Sequence, residues 1–106
     1  MWKVETLNAI VTAEVNALPA DMLARLRRIG ELIQTHGIER MHEPHVKHLE
    51  GRLWEIRLVG RDGIARALYI TATERRVVIV RVFVKKTQKT PRREIALALA
   101  RAKEVQ

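Results

Sequence analysis

The sequence predicts one α+β domain of order βααβββα. A mainly antiparallel sheet would carry a helical hairpin on one face, with a further helix at the C-terminus. Three observations lead there. Residues 53–84 contain three strand-like runs divided by turns, LWEIRLV, IARALYITA and RVVIVRVFV. The residues before them place apolar side chains at helical spacing, and Thr90-Pro91 opens a last amphipathic run. At 106 residues the chain is long enough for one core and too short for two, so residues 1–106 form a single domain.

Trp2 to Leu7 is a short first strand. Asn8 or Thr12 caps a short helix running to Leu18, and Pro19 with Asp21 restarts a second one. Met22, Leu26, Ile29 and Ile33 recur on one face of that second helix, while Arg25, Arg27, Arg28 and Glu31 lie mostly off it. Gly37 stops the helix. This hairpin is expected to be a packing layer over the sheet. Residues 38–52 are expected to be a loop punctuated by Pro44 and Gly51.

In LWEIRLV, Trp54, Ile56 and Leu58 alternate with Glu55 and Arg57, and Trp54, like Trp2, is expected in the core. The GRDG stretch from Gly60 to Gly63 turns into the second run, and Thr73 to Arg75 turn into the third. The third run is apolar on both parities, as expected for an inner strand covered on both faces. Thr90 would cap the last helix with Pro91 in its first turn, and Ile95, Leu99 and Ala102 would form its buried stripe.

The net charge is +8, and its distribution is uneven. Residues 1–51 carry a net −1, residues 52–93 a net +9, and the last thirteen balance. A contiguous basic block of this size is the footprint of a polyanion partner, most often nucleic acid. No apolar stretch is long enough to span a membrane, the N-terminus lacks a signal peptide's apolar region, and cysteine is absent. A cytoplasmic location is the expectation.

The residue types narrow the chemistry. Serine and cysteine are both absent, which excludes nucleophilic catalysis by either. There is no glycine-rich phosphate loop and no pair of catalytic carboxylates; Glu55 is expected to neutralise a neighbouring arginine. His42, His45 and His48 lie three apart around Pro44, which is not the zinc spacing of four on a helix. No metal and no cofactor are expected; one of these histidines could instead carry a proton near a substrate. What remains is arginine, lysine, tyrosine and histidine. These groups suit RNA cleavage, because RNA supplies its own 2′-hydroxyl nucleophile. Arginine forks match phosphate oxygens, and clustered lysines lose protons more readily.

LWEIR (Leu53 to Arg57), ARALY (Ala65 to Tyr69) and FVKKTQKTP (Phe83 to Pro91), followed by a helix, resemble the RelE/ParE superfamily of bacterial toxins. More narrowly the chain is similar to the phage-derived, HigB-like branch of type II toxin–antitoxin systems. The resemblance implies a compact RelE-like fold and a ribosome-dependent, metal-independent mRNA endonuclease acting in the ribosomal A site. It implies a co-expressed helix-turn-helix antitoxin of the HigA type. It also implies catalytic roles for Arg57, Arg66, Lys85 and Lys86, with Tyr69, Arg81, Lys89 and Arg92 on the RNA. Classical RelE members place a tyrosine near the C-terminus, and this chain has none after Tyr69. ParE-like members poison DNA gyrase instead, and a non-catalytic RNA- or ribosome-binding module is the remaining alternative.

Overall fold

A computed structural model describes residues 1–41, 45–85 and 89–105. The chain runs β1 (Lys3–Thr6), α1 (Ala9–Asn16), α2 (Ala20–His36), a 3-10 turn (Ile38–Arg40), β2 (Val46–Glu50), β3 (Leu53–Gly60), β4 (Gly63–Ala72), β5 (Arg76–Lys85) and α3 (Arg92–Ala102). The sheet order is β1-β5-β4-β3-β2; β1 lies parallel to β5 and the other pairs are antiparallel. Helices α1 and α2 cover one face and α3 the other, which is the expected α+β architecture. Among the described residues no helix is long and apolar enough to cross a membrane.

Strand β2 is the element the sequence reading missed. VKHLE, between Pro44 and Gly51 inside the expected loop, is short and polar on alternate residues. It is an edge strand buried mainly at Val46, and edge strands carry little hydrophobic signal. It covers β3 only as far as Ile56, after which the Arg57 amide donates to the His45 carbonyl at 2.8 Å. Trp54 is also misplaced by the alternation rule. It falls at the start of β3, 39% exposed, with its ring 4.9 Å from that of His48.

The first core joins Val11, Met22, Leu26 and Ile33 of the helices to Ile56, Ala67, Tyr69 and Val77 of the sheet. The second joins Ile95, Ala98 and Ala102 of α3 to Leu53, Leu68, Ile70, Val78 and Val80. A bulge in β5 controls which residues reach the second face. Leu68 opposes Arg81 while Tyr69 opposes Ile79, so Val80 is an extra residue. Val78 and Val80 face α3, and so do Arg81 and Phe83 beyond the extra residue, with Lys85 following by alternation.

Asn8 caps α1 through its side chain, accepting from the Val11 amide at 3.1 Å, and Gly37 (φ 87°) ends α2 as expected. Thr90 does not cap α3. Pro91 occupies the cap position and makes no side-chain cap bond. The Thr90 hydroxyl turns inward instead, donating to Glu55 Oε1 at 2.5 Å and accepting from Arg66 Nη1 at 3.0 Å. Arg66 Nη1 also lies 3.3 and 3.1 Å from the two Glu55 oxygens, and Arg57 Nε reaches Glu55 Oε2 at 3.5 Å. Glu55 and Arg66 are each 1% exposed. One buried carboxylate thus joins β3, β4 and the approach to α3.

Four outcomes follow. Gly30 lies inside α2 with open space where a Cβ would go, so Gly30→Ala should stabilise by about 0.5–1 kcal/mol in urea unfolding. Gly60→Ala should destabilise, because the added Cβ would sit 2.7 Å from Met22 Cγ and 2.8 Å from Asp21 Oδ2. Glu55→Ala should cost about 3–5 kcal/mol by stranding a buried guanidinium, and replacing Glu55 and Arg66 together with leucine and methionine should recover much of that loss. Asp21 accepts the Arg61 amide at 2.8 Å, and this bond holds its carboxyl below the usual range. Its contribution is complete above the carboxylate's ordinary pKa of about 4 and is lost as pH falls through the lower folded value. Asp21→Asn should therefore flatten the acid side of a stability–pH profile and leave its alkaline side unchanged.

Candidate nucleic-acid interface

The basic block is less available than its count suggests. Arg66 is enclosed with Glu55 and Thr90. Arg76 bonds Glu5 at 2.9 Å. Arg81 lies between two carboxylates, Glu94 at 2.7 Å and Glu14 at 2.9 Å, and is drawn over the Phe83 ring. The hydrogen bond to Glu94, with Glu14 nearby, holds its guanidinium more firmly protonated than usual. Glu14 also accepts from Arg101 Nη1 at 2.9 Å and from the Val82 amide at 3.0 Å, while Arg101 donates to the Val80 carbonyl. These side chains close the edge of β5 that short β1 leaves uncovered. Arg92 is exposed at the start of α3 and pairs with Glu50 of β2 at 2.5 Å, a bond that lowers the Glu50 pKa and raises that of Arg92.

Three expected site residues are therefore repositioned. Arg66 shares its parity with Leu68 and Ile70, and an arginine on so apolar a strand face needs an anion. It has one, and the anion is internal. A phosphate would reach its guanidinium only by displacing Glu55 and Thr90. Tyr69 is 1% exposed in the core beneath the helical hairpin, on the face opposite Arg66, and burial pushes its hydroxyl pKa up. No RNA contact is open to it. Arg81, expected on RNA, instead spans the carboxylates of α1 and α3. Lys86 and His42 lie outside the described residues.

The remaining cations converge on another place. Where β2 stops short, a cleft of about 520 Å³ opens along the uncovered half of β3. Arg57 and His45 lie at that strand end, and Arg25 and Arg28 line the cleft from α2. Its apolar walls are Ile29 and Leu32 of α2, Met41, and the cross-strand pair Val59 and Ile64. Ile64 opposes Lys85 in the next strand, so Lys85 adjoins the cleft by register. Lys89 is exposed at the start of the segment leading to α3. Among the described residues no carboxylate forms an ion pair with Arg25, Arg28 or Lys85, and no cluster of potential metal ligands occurs.

Arg57 is held in place from behind. Its Nε rests against buried Glu55, and its amide is fixed by the His45 carbonyl. Its side chain is 23% exposed, so its stem is packed while the head reaches the cleft. The sequence reading singled out Arg57 and Lys85 but not Arg25 and Arg28. The available signal was their spacing of three on one helical flank, next to the partly apolar pair Ile29 and Leu32. It was overlooked because the hairpin carried little net charge.

Comparison with solved structures returns the same fold. A double arginine-to-alanine mutant of the E. coli toxin RelE in its free state is 18% identical, with a TM-score of 0.64 over 94% of this chain and 96% of that one. The archaeal RelE of a RelE–RelB complex from Pyrococcus horikoshii is also 18% identical, with a TM-score of 0.57 over 83% of this chain and 98% of that one. No curated protein matches it. The phage-derived Gp49-like family (DUF891) matches residues 13–103, from within α1 through the end of α3, and the chain belongs to that family and has the RelE fold.

Proposed function

We propose that this chain is the toxin of a type II toxin–antitoxin pair and cleaves translated mRNA in the ribosomal A site. The observation that carries the reading is the cationic cleft at the end of β3, where Arg57, Arg25 and Arg28 meet His45 in a RelE-like fold. In this reaction the 2′-hydroxyl gives up its proton and attacks the adjacent phosphorus. The bond to the 5′-oxygen breaks, and that oxygen takes a proton. The products are a 2′,3′-cyclic phosphate and a 5′-hydroxyl.

Arg57 suits the phosphate contact best, because its geometry is fixed before substrate arrives. Charge that needs no rearrangement is worth about 3–4 kcal/mol per donor in the transition state. Arg25 and Arg28 add positive potential from the opposite wall. His45 is the proton carrier within reach of the same space, since a neutral imidazole has one nitrogen that donates and one that accepts. Lys85, Lys86 and Lys89 hold the RNA backbone, a positioning role independent of sequence. Arg66 acts at one remove: it fixes Glu55, and Glu55 orients Arg57.

The partner is a co-expressed antitoxin of the helix-turn-helix, HigA-like kind. The archaeal relative's capture with RelB supports a protein partner, and the cationic cleft favours one presenting acidic groups.

Expression of the chain without its antitoxin should arrest growth, with primer extension showing cuts confined to translated messages. Arg57→Ala should lower cleavage by about 100-fold or more while leaving the thermal midpoint within a few degrees of wild type. Replacing Lys85 and Lys86 together with alanine should abolish toxicity. Intact transcripts accompanied by DNA damage would overturn the endonuclease reading in favour of gyrase poisoning.

A further inference from the structure

The cleft has more apolar wall than a phosphate needs. A phosphate is satisfied by guanidinium groups at a surface, and Ile29, Leu32, Met41, Val59 and Ile64 add nothing to that contact. Val59 is 58% exposed, which is unusual for a valine at the centre of a row that includes Arg57 and Ile64. Exposed apolar surface next to the guanidiniums of Arg25 and Arg28, which form no ion pair among the described residues, calls for a ligand that is anionic at one end and flat and apolar at the other.

We infer that this cleft is a mononucleotide subsite: it takes one unstacked base of the RNA between α2 and the Val59–Ile64 pair, with the neighbouring phosphate on Arg57. The inference rests on the reading that this face engages RNA, and it adds where a base is held. The volume of about 520 Å³ falls within the range of small-ligand pockets. Charge complementarity selects the ligand class, since among the described residues three arginines and a histidine line the space and no carboxylate does. A guanidinium plane from Arg25 or Arg28 can stack on a base where no aromatic side chain is present, and recognition of single-stranded RNA commonly relies on such stacking. Among the described residues the walls hold no side-chain nitrogen or oxygen acceptor apart from the imidazole, so the subsite discriminates by shape and by donors to base carbonyls.

The test is binding to the full chain of the four nucleoside 5′-monophosphates, ribose 5-phosphate and inorganic phosphate, by calorimetry with amide shift mapping. Wild type should bind at least one monophosphate ten-fold or more tighter than ribose 5-phosphate, with shifts at Ile29, Leu32 and Ile64. Val59→Trp, at an exposed position that should tolerate it, should bring the monophosphates down to the ribose 5-phosphate level and leave inorganic phosphate binding unchanged. Arg57→Ala should weaken all six ligands. Equal affinity for monophosphates and ribose 5-phosphate, or shifts confined to other faces, would overturn the subsite even if the chain cleaves RNA. Base-dependent binding mapped to the cleft, in a chain that leaves transcripts intact, would uphold the subsite and end the endonuclease reading.

Discussion

The arrangement depends on one buried carboxylate. Glu55 sits on the α3 face of β3 with almost no exposure, and a lone charge there would be severely unfavourable. Arg66 across the strand pair, the Thr90 hydroxyl from the approach to α3, and Arg57 two residues along all turn to it. Each partner comes from a different stretch of chain, so satisfying this one group fixes three things together. It sets the register of β3 against β4, the point where the chain turns into α3, and the direction of the Arg57 head. Removing one member leaves an unpaired charge, whereas an apolar replacement of the pair would fill the same volume at little cost. The ion pair thus contributes geometry more than net stability, and the geometry it sets is that of the residue facing the cleft.

The same principle reorganises the basic block. Read as a string, residues 52–93 form a dense positive patch. Folded, several of those arginines are matched by acids from other elements: Glu5 and Glu14 from the N-terminal half, Glu50 from β2 and Glu94 from α3. The long-range pairing explains why the N-terminal half is slightly acidic while the later strands are basic. It also concentrates the remaining positive potential at the end of β3, where two arginines of α2 contribute although they lie outside the basic block.

Much of the fold was legible because its signals are local. The alternation in β3, the two-parity apolar run of β5, Asn8 and Gly37 at the helix ends, and the amphipathic stripe of α2 each follow from nearby residues. The part that was not legible is non-local. VKHLE has too little apolar content to announce an edge strand. Thr90 has the composition of a helix cap, and only the three-dimensional position of Glu55 diverts its hydroxyl. An arginine such as Arg66 on an apolar strand face needs an anion, but a sequence cannot say whether that anion is a phosphate or a carboxylate some distance away along the chain. Of the candidate site, Arg57 was legible from its strand and motif, and Arg25 and Arg28 were not, because their proximity to it is created by α2 flanking the uncovered edge.

The extra residue in β5 has a consequence for how such a chain can vary. Val80 reverses the alternation, so that Arg81, Phe83 and Lys85 share a face with the valines before them. Deleting that one extra residue would restore regular alternation and leave Arg81 opposite Leu68 and Val82 opposite Ala67, so neither face would change its occupants. The bulge is therefore slack in the strand: a single-residue loss there straightens β5 without exchanging its sides. A single-residue change beyond Arg81, with the bulge kept, would exchange the sides of every residue after it and carry Lys85 under the helical hairpin. Across related sequences a one-residue difference in β5 should fall at the bulge, and the interval from Arg81 to the lysine segment should stay constant.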